Sequence, residues 1–177
     1  MTTMENNSSK KISSSKLEET LVSTFPRLCT DCGKIANKQF FLTNPVLHST
    51  TLNSFLKNAG LNHVIARFAI EEFYDGEIYF ILTVKKAITI GSLVLTLEDA
   101  IIRENATKGI LEGDCFDAFK EFTNQLCGML DNELRPKVPK TIHLKLTSTT
   151  LINKENINTV LSEETLNEEC LTLTATI

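Results

Sequence analysis

The sequence predicts an α+β domain in which an antiparallel β-sheet is covered by two or three helices. Three stretches predict it. Cys115 to Pro136 (CFDAFKEFTNQLCGMLDNELRP) spaces its apolar residues at helical intervals. Ile65 to Phe73, the Asp75-Gly76 turn signal and the β-branched and aromatic run Ile78 to Val84 read as an antiparallel hairpin, with the second strand central. Thr141 to Leu151 alternates, with Ile142, Leu144 and Leu146 on one face and His143, Lys145 and Thr147 on the other.

Taken in order, residues 1–14 are Ser/Asn/Lys-rich and too polar to offset the entropy of ordering them, so a flexible tail precedes a single domain over residues 15–177. Leu17, Leu21, Phe25 and Leu28 then recur at helical spacing, with N-cap candidates at Ser13 to Ser15 and an interruption expected at Pro26. QFFLT (residues 39–43) suits a short strand, and Thr50 or Thr51 to Ala59 a helix stopped by Gly60. Ala87 to Leu97 is apolar nearly all round, as a buried helix is, although ITIGSLVLTL (residues 88–97) also suits a strand. Residues 98–113 form a charged connector, with Asp114 as candidate N-cap of the long helix. Pro136 and Pro139 close that helix. A polar loop over residues 153–169, with a short helix as an alternative for part of it, leads to a last alternating strand, Leu171 to Ile177.

Composition excludes several functions. With 177 residues the chain is long enough for one substantial core, and its net charge of −4 supplies no basic stripe for nucleic acid. No apolar stretch reaches the roughly 20 residues of a membrane span and no signal core opens the chain, so a cytoplasmic protein is expected. Five cysteines are an odd number, and Cys115 and Cys127 lie on the apolar side of the long helix, which suits reduced core thiols. The pair Cys29-Thr-Asp-Cys32 lacks a second pair of ligands, because His48, His63, His143 and the remaining cysteines are not spaced for one; no bound metal is expected. His143 reads as a solvated sheet histidine.

The long helix holds the candidate site. At about 100° per residue, Asp117, Glu121, Asn124 and Gly128 fall within roughly one 60° arc. Ala118, Phe119, Phe122, Leu126, Met129 and Leu130 occupy the opposite half, so the polar line faces out. Asn and Gly are poor residues for an exposed helix interior, Gly by about 1 kcal/mol relative to Ala. A solvated helix face accounts for the charges alone. A partner that approaches closely accounts for the Asn and the Gly as well.

Asp117-x-x-x-Glu121-x-x-Asn124, trailed by Gly128, resembles the D/S-x3-E-x2-N signature of the CheC/CheX/FliY chemotaxis phosphatases, most closely CheX because one copy stands in the second half of the chain. The element order from Asp75 to about Ile152 is similar too, and the CheC-like fold is the α+β arrangement predicted above. The first helix offers Glu18 and Glu19 but has Val22 where Asn would complete a second copy, which leaves one site per chain. The resemblance implies a phosphatase that removes the aspartyl phosphate of a phosphorylated CheY-type receiver domain. Glu121 and Asn124 would be catalytic and Asp117 and Gly128 partner contacts. The chain would bind no cofactor, since Mg²⁺ sits in the partner, and CheX-like proteins are typically homodimers. The same family also implies an alternative, a non-catalytic flagellar-switch-like module for a phosphorylated receiver; the prolines that follow the motif stand closer here than in typical members.

Overall fold

The structure is a computed structural model that describes residues 14–40, 43–60, 62–74 and 76–176. The predicted N-terminal tail lies outside the described residues apart from Ser14, which opens the first helix, and Asp75 of the predicted turn also lies outside them.

Helix α1 (Ser14–Ile35) is not interrupted at Pro26 as expected. Pro26 is exposed, so the backbone bond it cannot make is lost toward water, and Thr30 Oγ1 donates to the Pro26 carbonyl at 3.1 Å one turn on. The strand expected over residues 39–43 begins later, as β1 (Thr43–Thr51). The Thr51 hydroxyl then caps α2 (Leu52–Ala59), accepting from the Ser54 N–H at 3.2 Å, and Gly60 ends that helix as predicted.

β2 (His63–Glu72) and β3 (Gly76–Thr83) form the predicted antiparallel hairpin, but its first strand is the central one. β2 pairs with β3 on one side and with β4 (Ile142–Ile152) on the other. The apolar run of β3 signals burial on two faces, which an outer strand between two helical layers requires as much as a central strand does. α3 (Val84–Val94) is the predicted buried helix, shifted by one turn. The expected charged connector contains a helix, α4 (Asp99–Lys108), which buries only Ile102 and Ala106, too narrow a stripe to stand out among its charges. The long helix α5 (Gly113–Leu134) starts before the expected cap: Glu112 holds the N-cap position, and Asp114 lies in the first turn, where its charge favours the helix dipole. A 3-10 turn at Arg135–Lys137 follows. The predicted polar loop contains α6 (Ile157–Val160) and α7 (Glu163–Asn167), after which β5 (Glu169–Thr176) pairs antiparallel with β1 in a second, two-stranded sheet.

Two apolar clusters flank the three-stranded sheet. Val64, Ala66 and Phe68 face the larger, built with Leu28 of α1, Ile88 of α3 and Phe119, Phe122, Leu126 and Leu130 of α5. Ile65 and Ile152 face the smaller, with Leu52 and Leu56 of α2, Leu161, and Leu166 of α7. Burial on both sides is what makes β2 the spine of the domain.

His63, at the start of that spine, is buried. Its ring donates to the Gly60 carbonyl, while Nδ1 has no hydrogen-bond partner among the described residues. Burial disfavours the imidazolium and holds the pKa below the ordinary 6.5. Below that value the unfolded chain takes up a proton that the folded chain refuses. The stability tied to His63 is therefore complete above about pH 6.5 and falls as the pH drops toward the folded-state pKa, by at most about 1.4 kcal/mol per pH unit. Urea unfolding at pH 7.5 and 5.5 is expected to show this loss in the wild type and a smaller one in His63→Gln; identical losses would remove His63 as the cause.

Candidate functional site

α5 is fixed at its start, along its length and at its end. At the start, α3 crosses it so closely that a Cβ on Gly91 would stand 2.3 Å from the Cys115 carbonyl oxygen, so only glycine fits this crossing. At the far end, Glu133 pairs with Arg27 of α1 at 2.9 Å, and Lys137 donates to Thr24 of α1 at 2.9 Å.

Between these points the helix lies along the edge of β4 that β2 leaves unpaired. The Leu144 N–H donates to Asp131 Oδ1 at 2.9 Å, the Leu146 N–H to the Cys127 sulfur, and the Thr149 and Thr123 hydroxyls meet at 2.8 Å. Thr123, Cys127 and Asp131 recur every four residues, so one helix stripe serves one strand edge. All three are buried. The second oxygen of Asp131 binds the Arg135 guanidinium, with His143 Nδ1 3.7 Å away. His143 is half exposed, as predicted, but belongs to this lock. These contacts set the rotation of α5 about its axis.

That rotation turns the predicted polar line outward. Asp117, Glu121, Asn124 and Gly128 are all exposed, whereas Ala118, Phe119, Phe122, Leu126 and Leu130 are buried and Met129 is half-buried. The helix continues without a break through Gly128. Asp117 Oδ1 accepts from Lys120 Nζ at 2.9 Å, and that ammonium lies 4.4 Å above the Phe116 ring. Glu121 Oε1 accepts from Gln125 Nε2 at 2.9 Å. The Asn124 carboxamide has no hydrogen-bond partner among the described residues. One carboxylate and one carboxamide, three residues apart on a rigid helix, therefore face water together.

Gly91 of α3 and Gly128 of α5 differ in what requires them. Gly91 is required by the crossing of α3 and α5. A Cβ on Gly128 would have nothing within 4 Å among the described residues. Gly128→Ala is therefore expected to stabilise the isolated protein, by up to about 1 kcal/mol. If a partner's backbone packs there, the same change weakens binding to that partner. Thermal unfolding and a titration with the partner measure the two effects; a destabilised Gly128→Ala would show that the glycine serves the fold.

The remaining sequence candidates fall elsewhere. Cys29 and Cys32 are buried side by side on α1, and burial pushes the Cys32 thiol up to about 12, far from a reactive thiolate. Among the described residues no group of three His, Cys, Asp or Glu side chains is placed to hold a metal. No helix among them is long and apolar enough to cross a membrane. Val22 of α1, where a second motif copy would need Asn, is exposed. The sequence reading missed Asp131, which falls within about 40° of Asp117 on the helical wheel yet is buried beneath the start of β4. It also missed Gln125 and Lys120, which engage Glu121 and Asp117 from the neighbouring turn.

No protein-family model matches the sequence, and no curated protein matches it. Solved structures do match in shape. FliY of Thermotoga maritima superposes with a TM-score of 0.67 at 14% identity, over 93% of this chain and 83% of that one. The middle domain of FliM from H. pylori gives 0.61 at 12% identity, over 93% and 87%. The FliG–FliM complex from H. pylori gives 0.65 at 13% identity, over 94% and 88%. At such identities the likeness concerns the fold alone, and on that ground the chain has the α+β, CheC-like fold of FliY and of FliM middle domains.

Proposed function

We propose that the chain is a CheX-like phosphatase that hydrolyses the aspartyl phosphate of a CheY-type receiver domain. One observation carries this reading: Glu121 and Asn124 stand exposed and adjacent on a helix whose rotation is fixed by the edge of β4. In the proposed reaction water attacks phosphorus in line with the bond to the aspartyl oxygen. That bond breaks, and inorganic phosphate and a free carboxylate result. The receiver brings the phosphoryl group, its Mg²⁺ and a Lys, so the helper supplies positioning and electrostatics. The Asn124 carboxamide accepts a hydrogen bond from the attacking water and donates one to it, which orients the lone pair toward phosphorus. Glu121, one turn earlier, pairs with the receiver's Lys and sets the depth of insertion. Asp117 flanks the contact, and Gly128 lets the receiver's backbone approach.

The second reading is a switch-like module that binds a phosphorylated receiver without speeding its turnover. It is favoured by the likeness to FliM of H. pylori, solved in complex with FliG and in complex with SpeE, which are protein–protein assemblies of that protein. Binding to a beryllofluoride-charged receiver, measured beside phosphate release, separates the two. The phosphatase reading expects both; tight binding with no acceleration would establish the module instead. A cytoplasmic location and a homodimer belong to the CheX-like reading, and sedimentation at several concentrations tests the dimer.

A further inference from the structure

The three polar side chains of the exposed line differ in how their neighbours treat their charge. Asp117 is neutralised within the helix by Lys120, which is itself held over the Phe116 ring. Asn124 is neutral and has no partner among the described residues. Glu121 is held by an uncharged donor, the Gln125 carboxamide, through one oxygen, so its charge is not cancelled and its second oxygen stays available. A free glutamate at a helix surface samples many rotamers, and fixing it on binding costs side-chain entropy. A donor one turn on reduces that cost beforehand. A lysine in its place would do so only by cancelling the charge.

We propose that Gln125 is the positioning residue of this site: it pre-orients the Glu121 carboxylate for a single cation of the partner while leaving its charge intact. The proposal rests on the reading of Glu121 given above. The Lys of that reading is then the single cation that meets this line, opposite Glu121, because Lys120 has already answered Asp117. Gln125 acts through Glu121 and touches none of the reacting atoms.

The test compares Gln125→Leu and Gln125→Lys with wild type, using phosphate release from an acetyl-phosphate-charged receiver domain and, where turnover is absent, the Kd for the beryllofluoride-charged receiver. Gln125→Leu is expected to raise KM by about three- to tenfold with kcat within about twofold, and Gln125→Lys to raise it at least as much. In a Glu121→Gln background neither change has a further effect. An unchanged KM, a loss confined to kcat, or losses that multiply in the Glu121→Gln background would overturn the proposal. A separate reading needs no partner: the side-chain amide signals of Gln125 in a ¹⁵N spectrum move as Glu121 titrates and stay still in Glu121→Gln. Amide signals blind to Glu121 would overturn the positioning role, whereas a wild type without turnover would overturn only the phosphatase reading.

Discussion

Asn124→Ala is expected to abolish the acceleration of phosphate loss, by about 100-fold or more, while leaving the fold intact. The size of the effect follows from how little else the helper supplies. In the proposed reaction the receiver already holds the metal and the leaving carboxylate, and water is the only reactant not yet positioned. A carboxamide that both donates and accepts restrains that water in two directions, and alanine restrains it in neither. The fold should be untouched because Asn124 is exposed and bonds to nothing among the described residues. Alanine is in fact the better helix former. Circular dichroism and thermal unfolding of the variant are therefore expected to match or slightly exceed wild type, and binding to a beryllofluoride-charged receiver to fall much less than turnover. A variant that still accelerates hydrolysis would remove Asn124 from the chemistry.

Asp131→Ala is expected to cost about 2–3 kcal/mol of stability, the largest effect of any single change on the polar side of α5. Its carboxylate is buried, accepts from the Leu144 N–H at 2.9 Å and binds the Arg135 guanidinium. Alanine leaves the Leu144 N–H without an acceptor. It also frees the end of α5 from β4. For a domain of this size the loss corresponds to a fall of roughly 5–10 °C in Tm. Asp131→Asn keeps an oxygen for Leu144 and is expected to lose less than half as much. A change of under about 0.5 kcal/mol in Asp131→Ala, by urea or thermal unfolding, would mean that the lock does not hold the helix.

The two variants illustrate what the sequence could and could not disclose. Helical spacing identified α5 and the outward line from Asp117 to Gly128, because a wheel of apolar residues leaves one arc for water. The same wheel could not separate Asp131 from that line. Its burial depends on where β4 begins, which is a tertiary fact with no local signature. Hairpin chemistry identified β2 and β3 but not which is central, since a second neighbour such as β4 is unknown until the chain is closed. α4 was hidden because two buried residues among many charges look like a connector. Pro26 looked like a break because the rule for helix interiors does not know which side faces water. The pairing of β1 with β5 joins residues more than a hundred positions apart, and no periodicity announces it. The likeness to FliY and FliM middle domains supplies the arrangement, and the proposed chemistry rests on Glu121 and Asn124 alone.

The most direct measurement is the decay of the phosphoryl group on a purified receiver domain, followed alone, with this protein, and with its Glu121→Ala, Asn124→Ala double variant. Faster decay with the wild type and the receiver's own rate with the double variant is the predicted result. Equal acceleration by both proteins, or none by a wild type that binds the receiver, would contradict it.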